Sequence, residues 1–397
     1  MATAALLAGC GVQRPTVTYV AVAVSSDEQI DSSLISAWQK RFDVLAKGFR
    51  QLNPGSTFQV SFYPEDRIVE EIRGRNRQGL GPDLLLVNSF TARRLQQEGL
   101  SDSFPAGASE RNAYDSATLE RVRDRTGDLV GLPMVIYPQL ACFNRDKLPQ
   151  APATLTELLA AGSQGATVGL PIDLRNLLWT AGSLGAIQAF TDGQSQQPLS
   201  AVHREGLLRW FGWLQNASLQ QRVVFYEAQP VALQQLVGGS LDWIPCHSPQ
   251  LPLLRERMGA RLGVAPLPNG KNGSASPVNV LRLWSLGRNS SAAGRARALA
   301  FSRYSLNPLN QRNLTLGSIT VLPANRFVQV PVQSSSVLAA MVTANLQGRQ
   351  TNQLVARFQA DDRRPEALQS LLNRVVFGEE SPAMATNQAI AILEAKQ

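Results

Sequence analysis

The hydrophobic pattern opens with a strand, Thr16–Val24, which runs into the polar stretch 25–28. Residues 36–52 then take a helical period, with Trp38, Phe42, Leu45 and Phe49 on one face, until Asn53, Pro54 and Gly55 stop it. Positions 57–63 alternate apolar and polar as a second strand, and 65–77 predicts a charged surface helix. Gly81, Pro82 and Asp83 open a third, apolar strand over 84–87. Such a β-α-β-α-β series argues for a mainly parallel sheet with helices on both faces, which binds ligands at the carboxyl ends of its strands. Those ends are 25–28 and Asn88-Ser89-Phe90. Asn88 and Ser89 read equally well as a pocket rim and as ordinary caps of the helix that follows.

The chain is organised around residues 130–159. Leu132 and Pro133 open an apolar run, Met134 to Phe143, long enough for one extended strand; residues 144–152 are turn chemistry, and a helix starts near Thr154. Further on the pattern predicts a strand at 166–171, a helix at 176–189 carrying Trp179, a Gly, Gln and Ser-rich loop at 192–200, and a strand at 241–246. Trp210, Phe211 and Trp213 share a helical stretch and are expected in the core. Strands at 263–267 and 278–286, a helix at 292–306 and a helical tail from 334 complete the reading.

Composition narrows the function classes. At 397 residues with 44% hydrophobic content, the chain can bury two or three units' worth of core. The net charge of +8 comes from 33 arginines and five lysines that are scattered, whereas a nucleic-acid partner calls for a basic patch, so none is expected. His203 and His247 are the only histidines, and the chain has no HExxH, CxxC, phosphate loop or nucleophile elbow. Adjacent residues on a strand point to opposite faces, which makes Cys246-His247 a poor catalytic pair. No catalytic residue, metal ligand set or cofactor is expected.

Three cysteines, Cys10, Cys142 and Cys246, cannot form a disulfide framework. Leu7-Ala8-Gly9-Cys10 matches the bacterial lipobox, which assigns lipid attachment to Cys10; the charged region and full apolar stretch upstream are missing, so 1–16 reads as a truncated lipoprotein signal and linker. Cys142 and Cys246 lie on two strands and could bridge in an oxidising compartment. As buried small hydrophobes they are expected to remain free thiols.

The order of many short motifs resembles the extracellular solute-binding proteins of ABC importers, the family that includes maltose-binding protein. It runs through Phe49 to Gly55, Pro82-Asp83, Gly99-Leu100, Gly131-Leu132-Pro133, Phe143-Asn144, Pro152 to Leu158, the strand and turn 263–270, and the closing helix 377–393. The resemblance covers about residues 17–397. It departs at Val278-Asn279-Val280, where many relatives place a small, Gly-containing start, and at Cys246-His247-Ser248, where an aromatic is usual.

This resemblance implies an α/β, two-lobed periplasmic-binding-protein fold (type II), each lobe a mainly parallel sheet flanked by helices, with the ligand cleft between lobes. Lobe one would hold 17–140 and 281–327, lobe two 141–280 and 328–397. The implied pocket is Ser26, Asp27, Asn88, Ser89, Tyr137, Asn176, His247 and Arg364, with Trp179 one helical turn after Asn176 and able to present its ring. Short hydroxyl and amide groups beside aromatic planes suit a sugar or polyol. The implied protein is a lipid-anchored, monomeric receptor outside the cytoplasmic membrane that closes on a small solute and hands it to ABC permease subunits. A sensory or structural lipoprotein on the same scaffold, or a receptor for a non-sugar solute, also fits.

Overall fold

The computed structural model describes residues 16–25, 30, 32–357 and 362–395. The strands are β1 (Thr16–Val24), β2 (Ser56–Pro64), β3 (Leu84–Asn88), β4 (Ser101–Asp102), β5 (Leu132–Tyr137), β6 (Gln139–Asn144), β7 (Val168–Pro171), β8 (Val223–Tyr226), β9 (Trp243–His247), β10 (Leu262–Ala265), β11 (Val280–Gly287) and β12 (Leu322–Pro323). They form two sheets. One has the order β12-β5-β11-β3-β1-β2, with β4 also on β11; the other has the order β10-β6-β9-β7-β8.

The sheets are mixed, a correction to the mainly parallel ones expected. β1 pairs in parallel with β2 and β3 through crossover helices. β11, however, returns from the second sheet and enters the first antiparallel to both β3 and β5. In the second sheet β6 is antiparallel to β9 and β10, while β7 is parallel to β8 and β9.

The single strand expected over 134–143 is two strands. Pro138 has no N–H to give to a ladder, and at this residue the chain leaves the first sheet as β5 and enters the second as β6. The run is apolar apart from Gln139 because β5 and β6 are buried on both faces.

Period-two alternation in β6 feeds two different cores. Leu140 and Cys142 join the core that continues into the first sheet, whereas Ala141 and Phe143 join the core beneath the helices of the second lobe. In the first core Phe42 and Phe49 of the helix Ser32–Leu52 pack edge to face or tilted on Phe58 and Phe301. In the second, Trp210 and Phe211 are buried together as expected. The helices Arg364–Val376 and Pro382–Glu394 pack on Ala201–Ser218, closing that core.

Cys142 and Cys246 are joined by a disulfide, correcting the free thiols expected. β6 and β9 are antiparallel neighbours in which Leu140 faces Cys246 and Cys142 faces Ile244, so both cysteines point to the same face on a diagonal. Their Cα atoms lie 5.8 Å apart, inside the range a bridge spans.

Candidate ligand-binding site

Chain entering the first sheet's carboxyl ends builds one wall. Glu65, directly after β2, forms an ion pair with Arg282 of β11, and its Oε1 accepts the Asn88 backbone N–H at 3.3 Å. The Arg282 guanidinium in turn lies 5.8 Å from the centroid of the Tyr137 ring. Tyr137, only 5% exposed, therefore sits at the end of β5, beside the crossing into the second lobe. Asn88 spends its side chain as a helix cap, Oδ1 accepting the Thr91 N–H at 2.8 Å, which satisfies one orphan donor of the helix Ser89–Gln97. Ser89 starts that helix and is half-buried.

The second lobe supplies the facing wall. Asp173 caps the helix Leu174–Ser183, its Oδ1 accepting the Asn176 N–H at 2.9 Å. Gln369 braces the same corner: its Oε1 accepts the Leu174 N–H at 2.6 Å and its Nε2 donates to the Ile172 carbonyl at 2.9 Å. On that braced turn Arg175 reaches across to the first lobe, its guanidinium 6.0 Å from the Phe90 ring centroid. Beside this contact lies a cleft of about 460 Å³ to which the first lobe gives Phe90 and the second gives the rest, Asp173, Arg175, Glu366, Gln369 and Asn373 among them. An aromatic plane beside several hydrogen-bonding groups of both polarities is chemistry for holding a polar, apolar-faced small molecule.

Among the described residues, none of those predicted from sequence lines this cleft. Tyr137 and Asn88 meet around the Glu65–Arg282 pair, and Asn176 belongs to the facing wall, where its carbonyl accepts from Gln139 Nε2 at 2.9 Å. His247 is half-buried at the end of β9, its N–H donating to Gln250 Oε1 at 2.9 Å. Trp179 does not present its ring: it is 0% exposed and packs on Trp243, centroids 6.1 Å apart, because one turn past Asn176 the helix face turns into the core. Arg364 is also buried. Its guanidinium grips Asp362, with Nη2 to Oδ2 at 2.8 Å, and bonds the Gly193 carbonyl at 3.5 Å, so it serves the tail's packing. Ser26, Asp27 and Cys10 lie outside the described residues.

Sequence reading reached Phe90 only as part of a strand-end rim, and missed Glu65, Asp173, Glu366, Gln369 and Asn373. Glu65 was assigned to a surface helix, although its position at the carboxyl end of a strand was the available signal; the helix itself begins at Ile68. Gln369 and Asn373 are one turn apart and share a 2.8 Å hydrogen bond, a spacing visible in sequence but common on any helix.

Two other open clefts, of about 750 and 520 Å³, also have mixed polar and apolar linings, whereas one cavity differs in kind. A void of about 40 Å³ beside Trp38, Phe42 and Leu45 is lined almost wholly by apolar groups and has the character of a packing gap. Among the described residues no three His, Cys, Asp or Glu side chains gather to hold a metal ion, and no helix is long and apolar enough to cross a membrane.

The sequence profile of bacterial extracellular solute-binding proteins matches residues 45–338, and the chain belongs to that family. Its members are binding proteins that work outside the cytoplasm. No curated protein matches the chain. Among solved structures it is similar to the GacH receptor of Streptomyces glaucescens, studied unliganded and with acarbose, at 16% identity and a TM-score of 0.70, covering 94% of this chain and 97% of that one. It is similar to the maltose-binding periplasmic protein MalE of Listeria monocytogenes, solved with maltose, at 17% identity and 0.71, covering 95% and 97%. The Thermus thermophilus maltotriose binding protein, solved with maltotriose, matches at 14% identity and 0.70, covering 95% and 99%. At these identities the likeness establishes the shared two-lobed α/β fold.

Proposed function

We propose that the protein is the substrate-binding component of an ABC importer that captures a sugar or sugar-derived polyol between its lobes and delivers it to permease subunits in the membrane. The observation that carries this reading is the inter-lobe cleft, where Phe90 offers a ring face and Asp173, Arg175, Glu366, Gln369 and Asn373 offer donors and acceptors. Apolar sugar faces stack on rings while hydroxyls need fixed partners. Maltose, maltotriose and acarbose in similarly folded proteins support the same class. Asn88, Ser89, Tyr137, Asn176 and His247, together with Ser26 and Asp27, are proposed to complete the pocket around the solute. Binding shifts the lobes toward a closed form that the permease recognises.

A thermal-shift screen of maltose, maltotriose, acarbose, polyols, amino acids and inorganic anions tests the ligand class. A sugar present at a hundred times its dissociation constant adds about 2.7 kcal/mol of stability. Stabilisation by an amino acid or anion, with none by any sugar or polyol, overturns the assignment. The protein is proposed to act as a monomer, and to be held at a membrane by a lipid on Cys10. If a Cys10→Ser precursor partitions into membranes as strongly as wild type, the anchor is wrong.

A further inference from the structure

Two stretches of chain cross between the sheets side by side, one at Pro138-Gln139 and the other at Val278-Asn279, and a side chain of each accepts a backbone N–H of the other. The Gln139 N–H donates to Asn279 Oδ1 at 3.0 Å, and the Val278 N–H donates to Gln139 Oε1 at 3.3 Å. Gln139 is 1% exposed and Asn279 0%. Each then reaches away from the crossing. Gln139 Nε2 bonds the Asn176 carbonyl, next to Arg175 on the second wall of the cleft. Asn279 Nδ2 bonds the Ala344 carbonyl at 3.0 Å, and its N–H bonds Asn352 Oδ1 at 2.8 Å, fastening two C-terminal helices. Its carbonyl accepts from Arg121 Nη2 at 2.5 Å, and the Arg121 carbonyl accepts from Arg93 Nη1 at 2.8 Å, one helical turn from Phe90 on the first wall.

The backbone is shaped around this amide. A Cβ at Gly348 would stand 2.5 Å from Asn279 Nδ2 and 2.4 Å from the Pro277 carbonyl, so only glycine lets the helix end approach. Rotating one lobe against the other must break bonds whose groups have no water to turn to.

We propose that Gln139 and Asn279 are positioning residues: their side-chain amides, each holding a backbone N–H of the other crossing, fix the angle between the lobes and hence the separation of Phe90 and Arg175 across the cleft. The network runs from one cleft wall to the other through residues that do not line the cleft, so it sets the geometry a solute meets. This rests on the reading of the lobes as closing on a solute.

The test compares the ligand-free full chain of wild type, Gln139→Met, Asn279→Ala and Gly348→Ala by small-angle scattering and amide hydrogen exchange. Gln311→Met is the control, since Gln311 is a buried amide bonded to the Leu306 carbonyl and the Asn325 N–H and to neither crossing. Expected is a changed radius of gyration and roughly tenfold faster exchange around 138–141 and 278–281 in the three hinge variants. The control should lower thermal stability while keeping the wild-type scattering profile. Hinge variants that lose stability yet scatter and exchange at the crossings like wild type would make Gln139 and Asn279 ordinary core amides. Should Gln139→Met not fold, Gly348→Ala, which keeps every hydrogen-bonding group, decides by the same comparison. A wild-type profile that does not change with maltotriose or any other solute that binds speaks against lobe closure instead, and is distinguishable because the ligand-free comparison does not depend on it.

Discussion

Glu65 and Arg282, 217 residues apart in the chain, form a nearly buried ion pair where β2 ends and β11 enters the first lobe, and the pair holds the Asn88 backbone on one side and the Tyr137 ring on the other. It joins the third strand's end to the crossing strand. Removing one partner leaves the other charge in a poorly solvated place, which costs about 3–5 kcal/mol. Glu65→Ala and Arg282→Met should each destabilise on that scale in urea unfolding, and the double variant should lose clearly less than their sum. Additive losses would show that the two side chains do not stabilise each other.

The Cys142–Cys246 bridge closes a separation of 104 residues. Chain-entropy reasoning for a loop of that length gives about 4.7 kcal/mol. Denatured, unreduced protein should yield no thiol from either residue, and reduction should lower the unfolding midpoint in urea with the slope changed by a looser unfolded state. Two titratable thiols besides Cys10 would rule the bridge out.

Trp179 and Tyr137 should separate stability from binding. Trp179 fills the second core, so Trp179→Ala should cost about 3–5 kcal/mol while Trp179→Phe keeps solute affinity. Tyr137→Ala should weaken binding more than tenfold, about 1.4 kcal/mol or greater. Calorimetry with the solute found by the screen checks both. Unchanged affinity in Tyr137→Ala removes that ring from the site.

Acid should act through Glu110. Burial alone would raise its pKa, but hydrogen bonds from Arg303 and the Gly107 N–H, with the Arg303 charge, outweigh it and hold the carboxyl below its ordinary 4.5. A depressed folded-state pKa contributes stability that is present above the unfolded value and lost as pH falls through the folded one. Arg303→Ala should therefore be less stable than wild type at neutral pH, and the gap should shrink once pH drops well below about 4. A gap of the same size at both ends would assign the effect to packing.

How much of this was legible beforehand depends on range. β1, the aromatic face of the first long helix and the buried Trp210 and Phe211 were readable, because period and burial are written into neighbouring residues. The order of short motifs gave the two-lobed fold, and Pro138 carried in its missing N–H the reason the crossing strand divides.

Only the tertiary structure decided which groups meet across long separations. The antiparallel entry of β11 between β3 and β5 brings Arg282 to Glu65, and the adjacency of β6 and β9 brings Cys142 to Cys246. Neither neighbour relation leaves a local trace in composition or period. The cleft shows the same division: Asn88 could be named as a cap or a rim residue from its strand end, but that Phe90 faces Arg175, that Trp179 turns inward, and that Arg364 is spent on Asp362 follow from how whole helices dock. A helix's hydrophobic period says which face is buried, whereas the docking angle, set by packing against distant elements, says what its polar residues touch.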